Sequence, residues 1–325
     1  MRILSGVQPS GNLHIGNFFG AIRQFVALQN DRANEGYYFV ADLHAMTTIK
    51  SGAELRENSF KVAADYIALD LDPERSVLYR QSDVAEVPEL AWMLSTVTPM
   101  GLLQRGHSYK DKVSKGITPT HGLFAYPVLV AADILIVRAD KVPVGKDQKQ
   151  HLEMTRDIAA AFNQTYGEPI LKVPEELILP EVAVVPGIDG QKMSKSYGNT
   201  LEIFAPEGEL KKRVMSIVTD STPVSDPKPT RGNTLYALLK LFTPAAQWPE
   251  TKRLFTEGGT GYGEMKKRLL GLILDTFGEA RRRRGELDRD RAYVEEVLRR
   301  GRERAGKVIG QVMAHCRRVC GVGWV

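Results

Sequence analysis

The chain has 325 residues and a mass of 36.1 kDa, a length that excludes a mini-protein scaffold and suits two domains, or one large domain with an appendage. A hydrophobic fraction of 43%, with 26% charged residues and a mean hydropathy of −0.23, excludes a disordered chain. The net charge is only +5, but residues 281 to 318 hold 12 arginines, one lysine and six acids, so the basic excess is C-terminal. Such an arginine-rich face is either a footprint for nucleic-acid phosphates or a solvated helix face with internal ion pairs, such as Glu295 with Arg299.

In chain order, Ile3-Leu4 reads as a short strand running into a Gly/Pro-rich turn. Phe18 to Gln29 reads as a helix with Phe19, Ile22 and Phe25 or Val26 at helical spacing. Tyr37 to Ala41 is the next strand, followed by a helix over Leu55 to Leu69, a strand over Ser76 to Tyr79 and a helix over Pro88 to Thr98. This alternation predicts an α/β fold built on a doubly wound parallel sheet. Ligands in such sheets sit at the carboxyl ends of the strands, where loops beginning at Ser5, Asp42 and Gln81 emerge. From about Lys192 most segments read as helices, broken by a Pro-rich stretch at 221–229 and a Gly-rich one at 258–263. A mainly helical second region is therefore expected.

No apolar run approaches the roughly 18 residues of a membrane span, and the N-terminal stretch turns to Gly and Pro too early for a secretory leader. Two cysteines, Cys316 and Cys320, build neither a disulfide framework nor a multi-cysteine zinc site. With His315 they still cannot complete a tetrahedral metal site, so no metal-ligating residues are assigned. A cytoplasmic protein is expected.

Three segments could carry chemistry. Gln8-Pro9-Ser10-Gly11-Asn12-Leu13-His14-Ile15-Gly16-Asn17 places a small-residue loop before a helix N-terminus, which presents backbone N–H groups and a positive dipole end to an anion. Gly16 lets a flat ring approach the backbone, and His14 and Asn17 face one side. Taken alone, the loop is also compatible with an ordinary βα turn. In Asp189-Gly190-Gln191-Lys192-Met193-Ser194-Lys195-Ser196-Tyr197-Gly198-Asn199, two lysines three apart lie between glycines. They can swing onto a triphosphate as charge builds in a transition state, or they can be a solvated basic loop. In the apolar run Ala125 to Ile136, the lone acid Asp133 costs several kcal/mol unless a dedicated donor meets it. An indole N–H would be such a donor; the alternatives are a helix cap or an ion pair with Arg138.

HIGN and KMSKS together resemble the two signature motifs of class I aminoacyl-tRNA synthetases. With QPSGxLHIGN, AADIL and GxDQKQH, the chain is similar to the tryptophanyl family in particular. The likeness runs through the catalytic region and is patchier over the helical part. The resemblance implies a Rossmann-type catalytic domain over 1–191, joined by a C-terminal helix of about 292–325. It also implies a smaller all-helical anticodon-binding region that, with the KMSKS loop, covers 192–291. The implied reaction joins L-tryptophan and ATP into tryptophanyl-adenylate and pyrophosphate, then transfers tryptophan to tRNA(Trp). Mg²⁺ would ride on the ATP phosphates, and the tRNA would span a homodimer.

Carried over position by position, the resemblance assigns Gln8, Pro9, Ser10, Gly16, Asn17, Gly145, Lys146, Asp147, Val184, Lys192, Met193, Ser194, Lys195 and Ser196 to ATP. Lys192, Lys195, His14 and Asn17 would act in catalysis. It assigns Asp133, Tyr126, Gln148, His44, Gln8, Val130, Val142 and Val144 to tryptophan. Asp147 would accept from the ribose hydroxyls, although its place in a first helical turn also suits an acid without a ligand. Gln148 and Tyr126 would hold the α-ammonium. Lys146 departs from the acid that many bacterial members carry there, and Val130 from a methionine. His44 is also compatible with a structural histidine at a strand end. Lys112, in a polar loop, would approach the phosphates. The Arg281 to Arg284 run with Arg299, Arg300, Arg302 and Arg304 would meet tRNA phosphates.

Overall fold

The structure, a computed structural model, describes residues 1–106, 109, 120–144, 149–178 and 184–323. Strand β1 (Arg2–Val7) enters a short helix α1 (Ile15–Asn17), which continues through a π-helical turn at Phe18–Ile22 into α2 (Arg23–Asn30). Then come β2 (Glu35–Val40), α3 (Asp42–Ala45), α4 (Gly52–Ala68), β3 (Val77–Arg80), α5 (Glu86–Ser95) and α6 (Met100–Gln104). Next are α7 (His121–Ile136), β4 (Lys141–Val144), α8 (Lys149–Tyr166) and β5 (Glu175–Ile178). The helical remainder comprises α9 (Glu207–Met215), α10 (Thr234–Phe242), α11 (Trp248–Thr256), α12 (Tyr262–Arg289) and α13 (Arg291–Cys320).

The five strands form one parallel sheet in the order β3-β2-β1-β4-β5. Strand alternation explains its two covered faces. In β2, Tyr38 and Val40 pack into one core with Phe25 and Phe60, while Tyr37 and Phe39 point the other way, toward Val128, Ile158 and Ile309. The first core continues without a break into the helical part, through Leu201, Leu235, Phe242 and Phe277. The expected doubly wound α/β architecture is the one observed. The helix expected from Phe18 starts three residues earlier, at Ile15, and strand β5 has no counterpart in the expected elements.

Helix α13 returns to the sheet and lies on β3. Gly301 permits this, because a Cβ there would stand 1.7 Å from the Leu78 carbonyl oxygen. A second tie is electrostatic: Arg284 of α12 donates to Asp65 of α4 at 2.5 Å, both side chains being buried. Removing one partner of such a pair typically costs about 3–5 kcal/mol, since the other charge is left uncompensated. In the Pro-rich stretch the buried Lys228 ammonium donates to the carbonyls of Pro223, Val224 and Asp226, which orders a segment without regular structure.

Candidate active site

The strand order reverses between β1 and β4, and a crevice opens at the carboxyl ends of strands at such a switch point. A cavity of about 360 Å³ lies there, within the range of small-molecule sites. Leu4, Ser5, Gly6 and Gln8 of the β1 end line it, with Phe39 and Ala41 from β2, His44, Thr47 and Thr48 beyond it, and Val142 and Pro143 of β4. Tyr126, Val130 and Asp133 project from α7, which runs over the cavity although Pro127 sits inside the helix. The expected tryptophan contacts Gln8, His44, Tyr126, Val130, Asp133 and Val142 thus meet around one cavity.

Asp133 is 3% exposed. Its partner is not Arg138: Gln81 Nε2 donates to Oδ1 at 2.9 Å and to Oδ2 at 2.8 Å, and His44 Nε2 lies 2.9 Å from Oδ2. Burial pushes the Asp133 carboxyl upward, and the His44 and Gln81 hydrogen bonds oppose it. Asp42 ties the β2 and β3 ends together by accepting from the Ser82 amide at 3.0 Å. Tyr126 Oη lies 2.7 Å from Nε2 of His151, and Tyr126 packs edge-on to both histidine rings. The sequence places Gln81 only at the start of a loop on the ligand side of the sheet and His151 only at the end of the GxDQKQH motif, and it assigns neither a role. A glutamine ending a strand has no local signature, and His151 reads only as part of an amphipathic helix start.

The two signature loops meet beside this cavity's β1 edge. Residues 201–203 run along the first loop, with Ile15 N donating to Leu201 O at 3.0 Å and Ile203 N to Leu13 O at 3.1 Å. The anion cradle is therefore narrower than the loop composition suggests, because the Ile15 amide is spent on Leu201 and the Asn17 amide on His14 O at 2.8 Å. Asn17 Oδ1 accepts from the His14 amide at 3.1 Å. Gly16 has no room for a side chain, since a Cβ would stand 2.9 Å from His14 Nδ1. That Nδ1 is buried and has no hydrogen-bond partner among the described residues. Burial and the Lys195 cation push the His14 imidazole down to about 4, so it is neutral at neutral pH.

Lys195 reaches across from the second loop, its Nζ donating to Gly11 O at 3.0 Å and Ser10 O at 3.4 Å. Burial pulls its ammonium below the usual lysine range, with Glu202 and Asp65 opposing. Asn199, 2% exposed, holds the loop's shape: Oδ1 accepts from Ser194 N at 2.8 Å, and Nδ2 donates to Asp189 and to Lys192 O. Lys192 and Ser196 are exposed, the Ser194 and Ser196 hydroxyls lie 2.9 Å apart, and Val184 is 66% exposed. Met193 is buried in the core with Leu13 and Ile15, while Pro9 is buried and Ser10 exposed in the first loop. Lys112, Gly145, Lys146, Asp147 and Gln148 lie outside the described residues, as does the Val144 side chain.

The arginine run is paired within the chain. Arg281 donates to the carbonyls of Ile203 and Ala205, Arg282 pairs with Glu279 and Glu286, Arg283 with Asp70, and Arg284 with Asp65 and Asp288. Arg299 pairs with Glu296 and Glu303 rather than Glu295, Arg300 with Glu74 and Arg302 with Glu86, while Arg304 donates to Pro73 O and Ser76 O. Carboxylates and carbonyls of the same chain take up these guanidinium groups, which is the internally paired helix face left open by the sequence.

A family model described as tRNA synthetases class I (W and Y) matches residues 1–267. The tryptophan--tRNA ligase of Fusobacterium nucleatum subsp. nucleatum is 51% identical over 321 residues, covering 99% of this chain and 98% of its own. That of Rhodopirellula baltica is 48% identical over 322 residues, covering 99% and 100%. The crystal structure of Campylobacter jejuni tryptophanyl-tRNA synthetase complexed with ADP and tryptophan superposes with a TM-score of 0.95 at 48% identity, covering 99% of this chain and 100% of that one. With the signature loops joined beside a cavity at the switch point of a parallel sheet, these matches establish that the chain belongs to the tryptophanyl-tRNA synthetases of class I.

Proposed function

We infer that this chain activates L-tryptophan with ATP and transfers it to tRNA(Trp), and that the indole sits in the switch-point cavity with its N–H on Asp133. The observation that carries the reading is a buried carboxylate lining a cavity next to the point where Lys195 bridges to the first signature loop. Phenylalanine brings no N–H to that carboxylate, so the acceptor position that Gln81 and His44 leave on it stays unfilled and phenylalanine is disfavoured. Tyr126 and Gln148 hold the α-ammonium, and Val130, Val142 and Val144 form apolar walls. Asp147, with Gly145 and Lys146, holds the ribose end of ATP.

No protein nucleophile is needed, because the tryptophan carboxylate attacks the α-phosphorus and pyrophosphate leaves. The protein supplies position and charge. Neutral His14 and the turn at Gly16 and Asn17 face the nucleotide, and Lys192 and Lys195 follow the leaving pyrophosphate. The described residues contain no group of three or more His, Cys, Asp or Glu side chains able to hold a metal. In this reading Mg²⁺ enters on the ATP phosphates, where it offsets their charge.

The helical part reads tRNA in this proposal, with 192–291 as its unit and the helix from about 292 joined to the catalytic domain. Because the arginines are paired, the phosphate contacts pass to exposed lysines without ion-pair partners among the described residues, Lys211, Lys212, Lys240, Lys252 and Lys267. No helix among the described residues is long and apolar enough to cross a membrane, and the setting proposed is a cytoplasmic homodimer. The test is ATP-dependent attachment of labelled tryptophan to tRNA(Trp). The reading expects labelled, acid-precipitable tRNA with tryptophan, and label incorporated only with tyrosine would overturn it.

A further inference from the structure

Gln81 is fully buried at the carboxyl end of β3. Its amide cannot turn round. Oε1 accepts from the backbone N–H of Leu43 at 3.1 Å and of His44 at 3.4 Å, and backbone amides only donate. The NH₂ end must therefore face Asp133, which it meets at 2.9 Å and 2.8 Å on its two oxygens. An NH₂ group also only donates, so this contact requires oxygens that accept. A carboxylate has about four acceptor positions. Among the described residues Gln81 and His44 both meet Oδ2, whereas Oδ1 receives Gln81 alone and keeps acceptor capacity for a ligand N–H.

We propose that Gln81 is a positioning residue for amino-acid choice: by locking its amide on α3, it holds Asp133 in the orientation and protonation state that accept an indole N–H. The proposal rests on the assignment of Asp133 to the indole and deepens it. The ionisable groups facing Asp133 are His44 and Asp42 of the α3 segment, Tyr79 of β3, Tyr126 of its own helix and His151 of α8.

The test compares tryptophan with 3-benzothienylalanine, a near-isostere in which sulfur replaces the indole N–H, in ATP–pyrophosphate exchange. Because the two have nearly the same shape, the ratio of their kcat/KM values reads the N–H contact, and general damage to the fold cancels. Asp133→Ala should collapse the wild-type ratio, and Gln81→Met should lower it about tenfold, as loss of one good hydrogen bond does. Gln81→Glu adds a second diagnostic. At low pH one proton shared between the introduced carboxyl and Asp133 restores a donor facing the aspartate. At higher pH two anions face each other, so the KM for tryptophan should rise with pH in this variant more steeply than in wild type. A collapsed ratio in Asp133→Ala with wild-type ratios in both Gln81 variants overturns the role of Gln81 and leaves the site assignment standing. An unchanged ratio in Asp133→Ala overturns the assignment itself, and the role of Gln81 with it.

Discussion

Replacing Lys195 by alanine separates transition-state stabilisation from substrate binding. In the free protein the ammonium rests on Gly11 O at 3.0 Å and Ser10 O at 3.4 Å. In the role proposed for Lys195, those carbonyl contacts exchange for phosphate oxygens when ATP enters. A charge-assisted hydrogen bond contributes about 1.5–3 kcal/mol net, so giving up one to gain another leaves ground-state ATP affinity little changed. The difference appears as charge accumulates on the departing pyrophosphate. A donor aimed at such charge is worth about 2.7–4 kcal/mol, which at about 1.36 kcal/mol per tenfold is a loss of roughly 10²–10³ in kcat. The assay is ATP–pyrophosphate exchange at varied ATP with saturating tryptophan, with thermal melts to show that the variant is folded. The expected result is that kcat falls by that factor while KM for ATP moves less than about threefold. A KM raised a hundredfold at unchanged kcat would refute it and make Lys195 a uniform binder of ATP.

Three further outcomes follow from the geometry. Arg281→Met frees the carbonyls of Ile203 and Ala205, which flank the backbone paired to the first signature loop. About 1.5–3 kcal/mol of bonding is lost, and kcat/KM for ATP should fall about tenfold or more while KM for tryptophan holds, with partial rescue by Arg281→Lys. Equal damage to both substrates would point to general unfolding. His14 titrates at about 4 when folded and at 6.5 when unfolded, so the unfolded chain takes up the proton first as pH falls. Stability tied to His14 is therefore whole above pH 6.5 and lost between 6.5 and 4, by about 3 kcal/mol at most. Denaturant melts of wild type against His14→Gln should converge over that window, and a constant difference would contradict the burial argument. Reversing Lys211 and Lys212 to glutamate should weaken tRNA binding and flatten its salt dependence, whereas Arg299→Gln should change neither; the reverse pattern would restore the arginines as phosphate contacts.

The legible parts of the fold were those whose signal is local. β2 shows itself because Tyr37 to Val40 is apolar throughout, as a strand covered on both faces must be. β5 does not, because Glu175 and Glu176 open a strand only four residues long at the sheet edge. Asp133 announced its need for a donor through the cost of burying a lone charge. Gln81, 52 residues upstream, gave no sign of supplying one. The arginine run shows the same limit. Composition reports its charge, but its partners at Asp65, Asp70 and Ile203 lie 219, 213 and 78 residues away, and only the packing of α12 on α4 and on α9 brings them within reach.

The central claim is that the switch-point cavity selects an indole through Asp133. The measurement is amino-acid-dependent ATP–pyrophosphate exchange without tRNA, run with tryptophan, tyrosine and phenylalanine on wild type and on Asp133→Ala. Exchange with tryptophan alone is expected in the wild type, and its loss in the variant. Exchange driven by tyrosine, or tryptophan exchange untouched in Asp133→Ala, would contradict it.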